Sequence, residues 1–218
     1  MPTGVTMNAI FAKHVIPVAV IDKAEDAVPL ARALRAGGLN TIEVTFRTDA
    51  AEQAIRNIAS AFPDMQVGAG TILSCDQACR AKEAGARFGV SPGLHETVVN
   101  KAAEIGLPFM PGVMTPSDVE TALSLGCAWL KFFPADVAGG VRMLKALAGP
   151  YGHTGVRYVP LGGINIQNMA EYLALPNVAA IGGSWVADRH LIAAGNWTKI
   201  TELTAAAVAV ATAAGRAA

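Results

Sequence analysis

Trp129-Leu130-Lys131-Phe132-Phe133-Pro134 is a short apolar run with one amine in it. Bulky apolar residues over so few positions read as a buried β-strand. An ammonium held among aromatic and aliphatic side chains is costly to keep charged, and a neutral lysine amine is a nucleophile able to form a Schiff base with a ketone. The alternative is that Lys131 snorkels its head out of the strand end into solvent. This segment alone leaves both readings open.

Seven more segments of the same character flank it, giving residues 14–21, 41–46, 66–73, 87–92, 108–113, 129–134, 158–163 and 179–185. They recur about every 20 to 29 residues, the length of one strand plus one helix. Near-continuous hydrophobicity within them fits parallel strands covered on both faces. Glycines stand where the intervening helices should end, at Gly37-Gly38, Gly85, Gly106 and Gly126. Helix starters follow the strands: Asp22 with Glu25, Asp49 with Glu52, Ser74 with Gln77, and Thr115-Pro116-Ser117. Pro29 requires the first of these helices to begin late or bend. Thr204 to Ala214 reads as a last outer helix that frays at Gly215-Arg216. Eight alternating units predict an α/β fold, a (β/α)8 TIM barrel forming a single domain over residues 1–218. An open doubly wound sheet is the alternative; the absence of a composition break between the halves favours the barrel.

Composition narrows the function. The chain has 218 residues, 52% hydrophobic, with 17 basic and 17 acidic side chains. No global field draws it to nucleic acid or to an anionic membrane, and no apolar run is long enough to span a bilayer. The N-terminus lacks the regions of a signal peptide, and Cys75, Cys79 and Cys127 form no redox or zinc pattern, so a cytoplasmic location is expected. The four histidines lack metal-ligand spacing, which argues against a metal site or a metal-dependent aldol mechanism. Ser91 and Ser184 lack a recognisable histidine and acid partner, so neither reads as a nucleophile.

A barrel carries its active site at the C-terminal ends of its strands. In Thr41-Ile42-Glu43-Val44-Thr45-Phe46, alternation points Ile42, Val44 and Phe46 one way and Thr41, Glu43, Thr45 and Arg47 the other. If the second set faces inward, Glu43 projects toward Lys131. It then serves either as a proton carrier or as a buried ion-pair partner of Arg47 or Lys131. Gly162-Gly163 and Gly182-Gly183-Ser184 follow the last two strands, where backbone N–H groups of such barrels cradle phosphate. Gly68-Ala69-Gly70-Thr71 leaves space inside the barrel, or packs closely as small residues.

Taken in order, Glu43-Val44-Thr45-Phe46-Arg47-Thr48, Val67-Gly68-Ala69-Gly70-Thr71, Ser91-Pro92-Gly93, Lys131-Phe132-Phe133-Pro134-Ala135, Gly162-Gly163-Ile164 and Ile181-Gly182-Gly183-Ser184-Trp185 carry a resemblance over nearly the whole chain. The chain resembles the bacterial 2-keto-3-deoxy-6-phosphogluconate (KDPG) aldolase and 4-hydroxy-2-oxoglutarate (KHG) aldolase family. The resemblance implies a class I aldolase of the Entner-Doudoroff pathway, commonly a homotrimer, with no metal or organic cofactor and with 2-keto acids and pyruvate as its ligands. It implies Lys131 as the Schiff-base lysine and Glu43 as general acid and base. Arg47 and Thr71 would hold the substrate carboxylate, Pro92 and Phe133 would line the site, and Gly162, Gly163, Gly182, Gly183 and Ser184 would serve the phosphate. One position departs: relatives specific for the phosphorylated sugar acid often carry a threonine just before the strand-seven glycines, where this sequence has Leu161. The other substrate readings are therefore 4-hydroxy-2-oxoglutarate, or oxaloacetate for a decarboxylase using the same imine. From the fold alone, a non-catalytic phosphosugar-binding barrel or a barrel isomerase using Glu43 as base also stays open.

Overall fold

A computed structural model describes residues 7–214, apart from the side chains of residues 8 and 9. Its strands are β1 (Val15–Ala19), β2 (Thr41–Thr45), β3 (Gln66–Gly70), β4 (Phe88–Val90), β5 (Phe109–Met110), β6 (Gly112–Val113), β7 (Trp129–Phe132), β8 (Arg157–Pro160) and β9 (Ile181–Gly183). All pairings are parallel, with six strands in the order β5-β4-β3-β2-β1-β9 and three in the order β6-β7-β8. Two junctions join the groups into a ring. β5 and β6 are one stave broken at Pro111, which has no N–H for the ladder but accepts from Lys131 N at 3.0 Å. Tyr158 of β8 bridges Val178 just before β9, donating to Asn177 O and accepting from Ala179 N. Nine strand pieces thus form the eight staves of a (β/α)8 barrel, several of them shorter than the apolar segments that mark them in the sequence.

The alternation of side chains divides the core in two. Ile42, Val44, Val67, Ala69 and Leu130 face the outer helices in one large cluster. Ile16, Phe88, Val90, Met110 and Val159 face inward and pack with Ile10 and Phe11 from the N-terminal segment, whose helix is Met7–Ile10. Phe11 stacks on Trp129, ring centroids 4.8 Å apart, and Ile10 O accepts from the Thr41 hydroxyl. The N-terminal segment therefore plugs the lower end of the barrel and leaves the C-terminal end for chemistry.

The helix boundaries follow the punctuation in part. Gly38, Gly85, Gly106 and Gly126 all adopt left-handed φ, between +65° and +98°. Ser74 caps Cys75–Glu83 by accepting from Gln77 N, and Thr115 with Asp118 forms a reciprocal capping box on Pro116–Ser124. Pro29 lies in the first turn of a helix that starts late, at Ala27, behind a 3-10 turn. Two starters fail. Asp22 caps nothing and instead bonds Arg189 through both oxygens at 2.7 Å. Asp49 is displaced as cap by Ala50, which gives no side-chain bond, while Glu52 pairs with Arg56 and Arg80. At Asp22 a distant arginine is a stronger partner for the carboxylate than a helix end, and Arg189 and Arg80 hold Asp22 and Glu52 below the usual carboxylate range. The final helix is longer than its apolar core, running Trp197–Ala213 from an Asn196 cap, and the expected fray at Gly215-Arg216 lies outside the described residues. Among the described residues no helix is long and apolar enough to cross a membrane.

Thr115→Ala removes the oxygen that accepts from Asp118 N and should cost about 1 kcal/mol of unfolding free energy. Urea denaturation of the variant against the parent measures it, with a lowered midpoint at unchanged slope as the expected result.

Candidate active site

Lys131 and Glu43 come from non-adjacent staves and meet inside the barrel. Nζ stands 3.4 Å from Glu43 Oε1, with side-chain exposures of 7% and 3%. Of the two partners open to Glu43 in the sequence, Lys131 is the one it takes. Lys131 reaches inward because it pairs in register with Val159, an interior residue. Glu43 reaches inward because it shares its register position with Gly68 on one side and Val18 on the other. The snorkelling alternative is thereby excluded.

Room for this pair is made by absent side chains. A Cβ on Gly70 would stand 2.1 Å from Glu43 Oε1, and one on Gly68 would stand 2.2 Å from the Phe88 ring. The small residues on β3 thus receive a carboxylate and a phenyl ring. Gly112 pairs with Lys131 in register and gives way to the Pro92 carbonyl, which would lie 2.1 Å from an added Cβ.

At 3.4 Å and an effective dielectric of about 20, the two charges attract by about 5 kcal/mol, which the desolvation of two ions, several kcal/mol each, offsets. Net stability does not account for the pair. The separation also exceeds the roughly 2.7–2.9 Å of a tight charge-assisted bond, so the amine is loosely held. Its ammonium sits 5.2 Å from the centroid of the Phe133 ring. A nucleophile and a proton acceptor thus share one buried space.

The remaining sequence candidates lie at or just beyond the C-terminal ends of their strands. Arg47 lies two residues past β2, exposed, and its guanidinium makes no ion pair among the described residues. The turn that carries it is tied down by Thr45 and Thr48, whose hydroxyls donate to Ala19 O and Ile21 O. Thr71 follows β3 with φ +57°, a costly backbone state for a β-branched residue and one that concentrates at ligand sites. Pro92 is half-buried, beside Ser91, whose hydroxyl donates to Gly93 O.

The two glycine pairs differ. Gly162 and Gly163 are left-handed, at φ +102° and +77°, and form the expected turn, with Phe133 and Asp136 against them. Gly182 and Gly183 are instead buried residues of β9, bare because Leu161 and the Trp185 ring lie on their Cα atoms. Ser184 is exposed immediately beyond. Sequence reasoning missed three features here: Asp136 beside Gly163, the Trp185 ring over Gly183, and the Asp22–Arg189 pair. That pair ties the segment after β1 to the helix Arg189–Ala193 that follows the Ser184 loop. Only Trp185 had a signal, an aromatic residue two positions from a strand glycine.

A cleft of about 390 Å³ at the opposite end of the barrel is walled by Met7, Leu107, Phe109, Cys127 and Trp129 among others. Among the described residues its one titratable wall residue is Cys127, whose thiol burial pushes up, so it offers no comparable chemistry.

The chain is similar throughout to proteins of known name. A family model, KDPG and KHG aldolase, matches residues 7–203. The chain is 48% identical over 191 residues to the 2-dehydro-3-deoxy-phosphogluconate aldolase of Treponema pallidum, covering 88% of this chain and 90% of that one. It is 46% identical over 194 residues to the KHG/KDPG aldolase of Escherichia coli K12, covering 89% and 90%. The solved structure of the KDPG aldolase of Legionella pneumophila, with pyruvate captured at low pH as a covalent carbinolamine intermediate, matches at TM-score 0.89 and 44% identity over 93% of this chain and 98% of that one.

Gly70→Ala should lower stability by about 1–3 kcal/mol, since the added methyl meets the Glu43 carboxylate. Gly93→Ala, where an added Cβ meets nothing within 4 Å, should change it by less than about 0.5 kcal/mol. Parallel denaturant titrations of the two variants check the contrast.

Proposed function

Because this chain belongs to the KDPG and KHG aldolase family, we propose that it is a class I aldolase cleaving 2-keto-3-deoxy-6-phosphogluconate to pyruvate and D-glyceraldehyde 3-phosphate. The observation that carries the residue assignment is the buried 3.4 Å approach of Lys131 Nζ to Glu43 Oε1. The proton that must leave the ammonium has an acceptor at hand, and the freed amine attacks the C2 ketone of the substrate. Loss of water from the carbinolamine gives an iminium. Glu43, directly or through a water, takes the C4 hydroxyl proton; the C3–C4 bond breaks, its electrons pass into the iminium, and the aldehyde leaves. Protonation of the enamine at C3 and hydrolysis then release pyruvate and regenerate Lys131.

Arg47 offers a fork of donors to the substrate carboxylate and Thr71 one hydroxyl, holding the ketone over Lys131 between Pro92 and Phe133. Gly162, Gly163, Gly182, Gly183 and Ser184 take the remote phosphate, whose binding energy serves orientation. The proposal extends to a homotrimer in the cytoplasm, acting without metal or organic cofactor. A second reading, 4-hydroxy-2-oxoglutarate as substrate, is favoured by the apolar Leu161 and by the name of the E. coli relative.

Lys131→Met keeps a similar apolar volume, so the variant should fold while turnover disappears; measurable cleavage at the parent's rate would remove the assignment. Ser184→Ala should reduce kcat/KM for the phosphorylated substrate at least about tenfold more than for 4-hydroxy-2-oxoglutarate, as expected for a lost phosphate contact. Equal losses on both compounds would contradict the phosphate role.

A further inference from the structure

We infer that Cys75 and Cys79 form a two-thiol clamp for trivalent arsenic bearing one carbon substituent, on the outer layer of the barrel and apart from the Lys131–Glu43 pair. The clamp stands independently of the aldolase reading.

The spacing of these cysteines matches no redox or zinc pattern, and the fold supplies what the spacing lacks. Both lie on the helix Cys75–Glu83, four residues apart, so their side chains leave the same face one turn apart. The other faces are committed. Ala78 and Ala81 are buried, while Arg80 bonds Glu52 of the preceding helix and pairs with Asp76. The cysteines turn to the following helix, Glu96–Glu104, where Cys75 Sγ donates to Thr97 O at 3.5 Å. The two helices follow staves that pair in parallel, so both run the same way. One turn beyond this contact, Cys79 comes level with Lys101.

The Glu104 carboxylate, bonded to Lys101 Nζ, holds that ammonium above the ordinary lysine range, and the sulfurs of Cys79 and Cys75 are near enough to add to the effect. A cation therefore stands beside both sulfurs, and the thiolate is the form that bonds a thiophilic atom. Both cysteines are free and half-buried, within reach of a small reagent. Cys127, the third, lies in the cleft at the opposite end of the barrel, outside any helix, and burial pushes its thiol up.

Geometry selects the ligand. Side chains four apart on a helix hold their Cβ atoms roughly 5–6 Å apart, whereas a disulfide needs roughly 3.5–4.5 Å. One atom set between the sulfurs makes up the difference. A four-coordinate metal asks for more than this face supplies, because among the described residues no three or more histidine, cysteine or carboxylate side chains converge as a metal site. Three-coordinate arsenic whose third bond goes to carbon asks for two sulfurs and nothing else. With an organic arsonous acid, two As–S bonds form and two As–O bonds break. Each thiol proton leaves with a hydroxyl as water, arsenic stays trivalent, and no oxidant or reductant takes part.

The test titrates phenylarsine oxide, which hydrates to such an acid, into the full-length protein. Native mass spectrometry counts bound arsenic and a thiol reagent counts free thiols. One phenylarsenic group per chain, with two of the three thiols consumed, is the expected result. Excess ethanedithiol should strip it, and an equal thiol concentration of a monothiol should not. Cys75→Ser and Cys79→Ser each leave one sulfur and should weaken binding at least about 100-fold, the advantage of a second contact at high effective concentration. Cys127→Ser should bind as the parent does. No bound arsenic in the parent, an unchanged affinity in either Cys75→Ser or Cys79→Ser, or a loss in Cys127→Ser overturns the inference. The parent's thiol count tests it without any variant, since arsenic bound at the cost of a single thiol overturns it too. Substrate cleavage enters none of these readouts, so their failure leaves the aldolase reading in place.

Discussion

An amine and a carboxylate buried 3.4 Å apart inside a closed barrel impose the constraint that the surrounding residues answer. Neither ion is in water, so each needs the other, and the pair needs volume that larger side chains would otherwise occupy. Gly70 supplies that volume against the Glu43 carboxylate, while Gly112, in register with Lys131, lets the Pro92 carbonyl pack close to the same stave. The Coulombic gain is of the same order as the desolvation cost. Such an arrangement is better explained by a reaction that moves a proton between the two groups than by stability.

The barrel makes the arrangement possible by treating its ends differently. At the lower end Ile10, Phe11 and Trp129 seal the interior with aromatic and aliphatic contacts. At the upper end the interior-facing positions include Glu43, Gly70, Lys131, Leu161 and Gly182, a set with two ions, two glycines and one apolar wall. Successive layers along the same staves therefore pass from packing to chemistry. The Asp22–Arg189 pair holds the segment after the first stave to the helix after the last, at the rim where Ser184 emerges.

Much of this was legible in the sequence because it is local. Apolar runs at regular spacing marked the staves, glycines marked four helix ends, and Thr115 with Pro116 marked a helix start. Alternation within Thr41–Thr45 put Glu43 on one face with Thr41, Thr45 and Arg47, while which face is inward, and whether Gly68 to Gly70 leaves space or packs closely, took the neighbouring strands to decide. What was hidden depends on partners far apart in the chain. Asp22 reads as a cap until Arg189, 167 residues away, takes both its oxygens. Gly182 and Gly183 read as a phosphate cradle following the last strand, yet they are residues of that strand whose bare Cα atoms accommodate Leu161 and Trp185. The break at Pro111 follows from proline chemistry, but only the neighbouring ladder shows that the two pieces remain one stave.

The central claim is that Lys131 is the group that bonds covalently to the keto acid. Borohydride reduction in the presence of pyruvate, followed by peptide mass mapping, tests it most directly, because reduction fixes an imine to the nitrogen that formed it. The account requires a single pyruvate-dependent mass increase on the peptide carrying Lys131. An adduct on a different lysine, or none under conditions where the enzyme cleaves its substrate, would contradict it.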